Sequence, residues 1–201
     1  MAYTRYMMSM HDDQAGEGVA LAFPTVSTCA AVIAVLGDRL VGLHKTSGIS
    51  RNYGKLIQRG LSLLNFRYVR ALYIAGWNLD QPSKHDPRAI RQALGCTHAP
   101  IYISNLSSTR DSWERTTYSP HPFATAANDV CIFAYHQGSR APRIGLKRSS
   151  KVTVKRSVGG TQQINQLAQQ LGMGFALIYG VEEEITTTSD HLHELQFHRL
   201  E

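Results

Sequence analysis

One cysteine and one histidine stand near opposite ends of a stretch that has the pattern of a β-hairpin. The stretch is TVSTCAAVIAVLGDRLVGLHKT, residues 25–46, and it contains Cys29 and His44. A free thiol is mostly protonated at neutral pH, and a neighbouring imidazole can take its proton and stabilise the thiolate. These two residue types therefore fit a nucleophile and its base, provided that the hairpin brings them together.

The register of the hairpin decides whether the two side chains can meet. Gly37 and Asp38 fit a two-residue turn with glycine at its first central position. Pairing outward from this turn places Ala31 opposite His44. Because side chains alternate along a strand, Cys29 shares the face of Ala31 and becomes a diagonal neighbour of His44. Diagonal neighbours lie about 7–8 Å apart at Cα, a distance that an aromatic side chain can bridge.

Hydroxyl and amide groups ahead of the cysteine could complete a site. Thr25 and Ser27 precede Cys29 by four and two residues, so an extended chain would place their hydroxyls on its face. A break near Pro24 would leave the backbone N–H groups around Thr28 and Cys29 to bind an oxyanion.

The alternative interpretation is that Cys29 only fills the core. Cysteine is among the most buried residue types, and a chain with three cysteines and nine histidines contains such a pair by chance. The other two cysteines, Cys96 and Cys131, are widely separated and show neither disulfide-framework nor zinc spacing. We therefore expect a reducing compartment, with no metal and no cofactor.

The elements that must position these residues form an α/β (α+β) pattern. Composition suits one domain, 1–201: the chain has 201 residues, 43% of them hydrophobic and 18% charged. Asp86 and Pro87 predict the start of a short helix that ends before Gly95. Further helices are predicted at 53–64 and 161–171, and strands at 18–22, 29–36, 39–44, 68–76, 100–104, 130–136, 152–156 and 175–179. Residues 1–17 are interpreted as a polar N-terminal segment, 106–199 as a less legible second half, and 200–201 as a vector remnant.

Charge and hydropathy bear on the partners. Residues 19–36 are largely apolar, but Pro24 and many β-branched residues favour two strands over a membrane span. The net charge is +6, and residues 140–156 carry seven basic residues and no acid. Arg143, Lys147 and Arg148 are candidates for docking an acidic protein substrate. No nucleic-acid partner is expected, because the stretch lacks interleaved aromatic residues that would stack on bases.

The segments VSTC, ending at Cys29, and GLHKT, containing His44, resemble a family of bacterial protein-glutamine deamidases. That family includes the chemoreceptor deamidase CheD, the catalytic domain of cytotoxic necrotizing factor and Burkholderia lethal factor. The similarity continues through YGKLIQRGLSLL, RALYIAGWN and DPRAIRQALGCTHAPIYIS, and it covers residues 18–105. The family threonine that lies six residues before the cysteine corresponds here to Phe23, so Thr25 or a backbone carbonyl is expected to orient the histidine ring.

The resemblance implies a β-sheet core or sandwich with flanking helices and a Cys29–His44 thioester mechanism. It favours a toxin or effector that converts a glutamine of a target protein to glutamate, and it places Cys29 in a shallow, partly exposed cleft. The expected location is the bacterial cytoplasm, or a host cell reached without a cleaved signal, since residues 1–14 lack a secretory pattern. A chemoreceptor-type deamidase, a transglutaminase or cysteine protease with the same pair, and a non-catalytic basic binding module are the alternatives.

Overall fold

Two seven-stranded β-sheets make up most of the described chain. The computed structural model describes residues 2–11, 14–45, 68–77, 79, 85–106, 130–155 and 178–200. The strands are β1 (Tyr3–Ser9), β2 (Gln14–Gly18), β3 (Ala20–Val26), β4 (Ala30–Val35), β5 (Leu40–Lys45), β6 (Ala71–Gly76), β7 (Ile101–Asn105), β8 (Val130–Tyr135), β9 (Arg143–Arg148), β10 (Val152–Lys155), β11 (Ile178–Tyr179), β12 (Val181–Thr187), β13 (His193–Glu194) and β14 (His198–Leu200). A 3-10 turn, Ser149–Lys151, joins β9 to β10.

Each sheet mixes parallel and antiparallel pairs. Sheet I has the strand order β10-β12-β1-β3-β8-β9-β13, and sheet II has the order β11-β2-β5-β4-β6-β7-β14. In sheet I β1 and β3 are parallel, and in sheet II β6 and β7 are parallel. The cysteine-histidine hairpin, β4 and β5, lies in the middle of sheet II, where β4 pairs with β5 on one side and β6 on the other.

The inner faces of the two sheets share one apolar core. Fully or almost fully buried side chains come from both sheets: from sheet I Leu21, Phe23, Val130, Ile132, Ala134, Ile144 and Leu146, and from sheet II Ala31, Ile33, Val35, Leu40, Tyr73 and Ala75. Side chains that interdigitate from two facing sheets are the defining feature of a sandwich. The prediction of a β-sheet core is confirmed.

Within the part of the chain that the structure describes, an α-helix covers the outer face of sheet II. Helix α1 (Pro87–Ala93) begins as predicted, because the Asp86 carboxylate accepts a hydrogen bond from the Arg88 backbone N–H and proline occupies the first turn. Ile90 and Leu94 pack with the outward side chains of β4, β6 and β7. The described residues are thus predominantly β, which corrects the expected α/β balance; the other two predicted helices, 53–64 and 161–171, lie outside the described residues.

Several strands were missed because their sequences are polar. Residues 1–17 were predicted to be a polar segment, yet the chain there forms β1 and β2, and Met7, Met10 and Ala15 are buried. Strands β9 and β12 carry basic and acidic runs on sheet I. Leu200 pairs with Ile101 at the edge of sheet II, and the interpretation of 200–201 as a vector remnant stays a prediction. Glu201 lies outside the described residues.

The hairpin register is confirmed. Ala31 pairs with His44, and the Leu36 backbone N–H donates to the Arg39 carbonyl across the turn at 2.9 Å. All six residues of β4 are buried, as the continuous apolar run predicted. Among the described residues there is no helix with the length and hydropathy that a membrane crossing requires.

Gly42 is the point in β5 where sheet I comes closest. A β-carbon there would lie 2.7 Å from Phe23 Cζ, 2.8 Å from Met10 Sδ and 2.9 Å from Leu21 Cδ1. All three atoms belong to side chains at the centre of the shared core. A hydrogen at this position therefore lets the two sheets close beside His44, which lies two residues further along the same face.

We predict that Gly42→Ala destabilises the protein by about 1–3 kcal/mol, because the added methyl overpacks a core with no room to relax. Gly37→Ala is the matched control, since a β-carbon at Gly37 meets no atom within 4 Å. Urea unfolding monitored by circular dichroism measures both changes. If the two substitutions lower the free energy of unfolding equally, the close approach of the two sheets at Gly42 does not limit stability.

Candidate active site

Cys29 and His44 lie on the same face of sheet II, the face that looks into the shared core. Cys29 belongs to that core together with Ala31, and His44 is paired with Ala31 across the hairpin. Because paired residues share a face and alternate residues return to it, the two side chains are diagonal neighbours, as predicted. The structure thus places the proposed nucleophile and base on one sheet face, in the predicted register.

The imidazole of His44 is oriented by the backbone carbonyl of Met10, the residue that directly follows β1 of sheet I. Its Nδ1 lies 2.8 Å from the Met10 carbonyl oxygen, and the ring is completely buried. A carbonyl can only accept, so Nδ1 carries a proton and, in the neutral ring, Nε2 carries the lone pair. The edge of Phe23 packs against the ring at 6.3 Å between centroids. This is the tautomer that a general base requires at Nε2.

The orienting role that the sequence offered to Thr25 is filled by Met10. Strand β3 is irregular between Phe23 and Val26, and Thr25 adopts a positive φ of 56° in this bulge with its side chain exposed. The predicted break near Pro24 is therefore real, but it turns the hydroxyl outward. A bulge shifts the side-chain alternation by one residue. The prediction that Thr25 shares the face of Cys29 assumed regular alternation and is therefore wrong.

The turn between β3 and β4 is held at two carbonyls. Trp77 Nε1 donates to the Val26 carbonyl at 3.2 Å, and His85 Nε2 lies 2.8 Å from the Thr28 carbonyl. Lys45 Nζ in turn lies 3.3 Å from His85 Nδ1. The sequence analysis did not single out Trp77, His85 or Lys45. The position of His85 directly before the Asp86-Pro87 helix start was the one local feature that pointed to it.

The hydroxyl residues beside the cysteine differ in exposure. Ser27 is half-buried and Thr28 is exposed. The structure gives Thr28 a specific contact through its carbonyl, which accepts the hydrogen bond from His85. The use of the N–H groups around Thr28 and Cys29 as oxyanion donors stays a prediction.

The expectation of a partly exposed cysteine is wrong. Only 5% of the Cys29 surface is exposed, and His44 has none. The reason is the position of the pair, which faces the opposite sheet instead of an open sheet end. A substrate can reach the sulfur only when groups that cover it move aside.

The two remaining cysteines occupy other apolar clusters. Burial raises the pKa of the Cys96 thiol to about 11 and also raises the pKa of Cys131. Cys96 lies below α1 on the outer side of sheet II, and Cys131 lies on the outer face of sheet I. Both thiols are therefore unreactive near neutral pH.

The predicted docking residues Arg143 and Lys147 lie on the outer face of sheet I. Arg143 Nε donates to Glu194 at 2.7 Å. Lys147 Nζ donates to the carbonyls of Ser189 and His191, the first at 2.7 Å, and burial lowers its pKa. Lys147 therefore anchors the segment between β12 and β13.

This basic surface is not part of the cysteine-histidine site. Arg148 follows Lys147 directly and so points to the opposite side of β9. Arg143 and Lys147 face outward from sheet I, whereas Cys29 and His44 face inward from sheet II. The spacing between packed sheets, about 10 Å, therefore separates the two groups.

The comparisons with known proteins add no relative. No protein-family model matches the chain, and no curated protein or solved structure matches it either. Within the described ranges, no group of three or more histidine, cysteine or acidic side chains is arranged to hold a metal ion. The candidate site is therefore defined by its own geometry.

We predict that iodoacetamide at neutral pH labels Cys29 before Cys96 and Cys131, because His44 lies on the face of Cys29 and can take its proton, whereas burial raises the pKa of the other two thiols. Peptide mass spectrometry at short times measures the order. His44→Gln should slow the labelling of Cys29, and His136→Gln, a histidine at the other end of the hairpin, should not. Equal labelling of all three cysteines would contradict an activated thiol.

Proposed function

We propose that this chain is a protein-glutamine deamidase in which Cys29 is the nucleophile and His44 is the general base. The observation that carries the proposal is the orientation of His44, whose Nδ1–H donates to the Met10 carbonyl at 2.8 Å while its ring shares a sheet face with Cys29. A buried imidazole without a catalytic task needs a hydrogen-bond partner, but it does not need a thiol as its diagonal neighbour.

The chemistry follows from the types and order of these groups. His44 Nε2 takes the Cys29 proton, and the thiolate attacks the carboxamide carbon of a glutamine side chain. Backbone N–H groups stabilise the oxyanion of the tetrahedral intermediate. The intermediate collapses with cleavage of the C–N bond, and His44 gives its proton to the departing ammonia. His44 then deprotonates a water molecule, which hydrolyses the thioester to a glutamate side chain and restores the Cys29 thiol.

The fold and setting that accompany this proposal come from the resemblance to the CheD and necrotizing-factor family. They are a deamidase-like sandwich with helices over its sheets, in a bacterial toxin or effector. Two features of the described chain support the fold: a two-sheet core with the hairpin at its centre, and a helix on the outer face of sheet II. A reducing compartment suits the three cysteines, all of which are free.

We expect Cys29→Ser and His44→Ala each to abolish deamidation, because the first removes the thiolate and the second removes the base. The measurement is mass spectrometry of a treated cell lysate, searched for glutamine-to-glutamate conversion. Cys96→Ser is the matched control, since Cys96 is equally buried but lies in a different cluster. Conversion that survives both site substitutions would refute the proposal, and an amine adduct or a cut chain would replace deamidation by transglutamination or proteolysis.

A non-catalytic binding module is the second candidate, and the burial of Cys29 favours it. On this alternative Cys29 is part of the core, and the outer face of sheet I binds the partner. Arg5, Arg143 and Lys147 line one pocket on that face together with Asp190 and the apolar Phe133. Slow labelling of Cys29, unaffected by His44→Gln, would decide for this candidate.

Both candidates predict an acidic protein partner for the basic face. Lys147 is unsuitable for charge reversal, because a carboxylate there would face two backbone carbonyls. We expect Arg140→Gln with Arg143→Gln to lower the association rate with an acidic protein and to reduce its salt dependence. Surface plasmon resonance measures the association rate and its salt dependence, with proteins recovered from the lysate as deamidation products or as bound partners immobilised on the surface.

The matched control removes positive charge elsewhere. Arg88→Gln removes one exposed positive charge on α1, on the outer side of the other sheet. If Arg88→Gln weakens binding as much as Arg143→Gln alone, the effect reflects net charge, and the docking role of the basic face is wrong.

A further inference from the structure

His85 is a buried histidine whose two ring nitrogens both have assigned contacts. It has no exposed surface, and it precedes Asp86, the residue that caps α1. The cap is firm: the Asp86 carboxylate accepts from the Arg88 N–H at 2.9 Å, and the Asp86 carbonyl accepts from the Ile90 N–H at 3.0 Å. His85 is therefore attached to a helix that packs on the outer face of sheet II.

The contacts of His85 select one tautomer. The ammonium of Lys45 can only donate, so His85 Nδ1, 3.3 Å away, accepts. The ring proton is then on Nε2, which donates to the Thr28 carbonyl at 2.8 Å. Lys45 lies next to His44 on β5 and points to the opposite face of the sheet. His44 and Lys45 are thus consecutive residues of β5 whose side chains lie on opposite faces of sheet II.

Holding the Thr28 carbonyl also sets the direction of the next amide. A peptide unit is planar and trans, so the Cys29 N–H points away from the Thr28 carbonyl. With the carbonyl directed to His85 on the outer side of sheet II, the N–H is directed towards the inner side. That side carries the Cys29 thiol and His44.

We propose that His85, with its tautomer selected by Lys45, is a positioning residue that aims the Cys29 amide at the oxyanion formed during acyl transfer. This inference rests on the proposed function, because it assigns a role only if Cys29 attacks a carbonyl carbon. His85 itself touches neither the thiol nor the substrate. Its contribution is to keep the Thr28–Cys29 peptide unit from rotating.

Two small probes separate this role from activation of the thiol. Iodoacetamide forms a C–S bond as iodide leaves, and no oxyanion develops. p-Nitrophenyl acetate is attacked at its carbonyl carbon, so an oxyanion forms before the C–O bond breaks and p-nitrophenolate leaves. Both reactions need the Cys29 thiolate and His44, but only the second needs an oriented amide.

The experiment compares both rates in His85→Ala, His85→Gln and Lys45→Met. Loss of one oxyanion donor costs about 10²–10³-fold in subtilisin. His85→Ala should therefore lower the rate of the p-nitrophenolate burst by about 10–100-fold, since it loosens the donor without removing it. The alkylation rate should stay unchanged. His85→Gln should restore much of the burst, because a glutamine side-chain amide can donate to the Thr28 carbonyl from a similar position.

Two further variants protect the result against a simple folding defect. Lys45→Met leaves the His85 ring in place but removes the donor that selects its tautomer, so we expect a smaller loss of burst rate in the same direction. His136→Ala is the matched control, because His136 Nε2 contacts the Leu36 carbonyl at 3.3 Å, at the far end of the same hairpin. It should change neither rate.

The possible failures are distinct. A burst that survives Cys29→Ala overturns the proposed function and this inference with it. A burst that requires Cys29 but is unaffected by His85→Ala and Lys45→Met overturns this inference alone. Equal loss of alkylation and burst in both of those variants also overturns it, because His85 would then only support the fold.

Discussion

The hydrogen bond between His44 and the Met10 carbonyl is the interaction on which the rest of this arrangement depends. An imidazole enclosed between two apolar sheets would cost several kcal/mol if its N–H had no acceptor. Met10 supplies that acceptor from a backbone that is itself fixed, since its N–H donates to the Ala22 carbonyl at 2.9 Å. One residue thus joins β3 of sheet I to β5 of sheet II.

Close packing makes this interaction possible. The Met10 side chain is fully buried and lies over Gly42, and it also approaches Gly180, where a β-carbon would meet its Cγ at 2.8 Å. Two glycines therefore provide the space that lets Met10 reach the histidine. The same close packing buries Cys29, so the packing that orients the His44 ring also restricts access to the Cys29 thiol. The proposed reaction at Cys29 would require a local opening whose free-energy cost is set by these contacts.

The two faces of sheet II carry different parts of the candidate site. The inner face holds the Cys29 thiol and the His44 imidazole, and the outer face holds His85 and Lys45 beneath α1. The strand β4 connects the two, because its first residues emerge from the turn that His85 holds. Sheet I contributes the Met10 carbonyl from its inner side, and on its outer side it carries the basic residues, where Lys147 anchors the chain between β12 and β13. Sheet I therefore orients the His44 ring from its inner side and carries charged residues on its outer side.

Local patterns in the sequence were enough for the hairpin and for the start of α1. Turn geometry sets the register of a two-residue hairpin, so Ala31 could be placed opposite His44 from Gly37 and Asp38 alone. Likewise, an aspartate followed by proline is a local helix signal, and Asp86 caps α1 as expected. Tertiary structure decided the remainder. The acceptor for His44 comes from Met10, 34 residues away, and the donor to Thr28 comes from His85, 57 residues away; no local pattern encodes such distances. Strands β1, β9 and β12 were missed because their sequences are polar. Pairing within the sheet satisfies their backbones, and most of their charged side chains stay at least partly exposed, whereas the buried Glu183 of β12 contacts His11 Nε2 at 3.0 Å. Only the assembled sheet reveals these conditions.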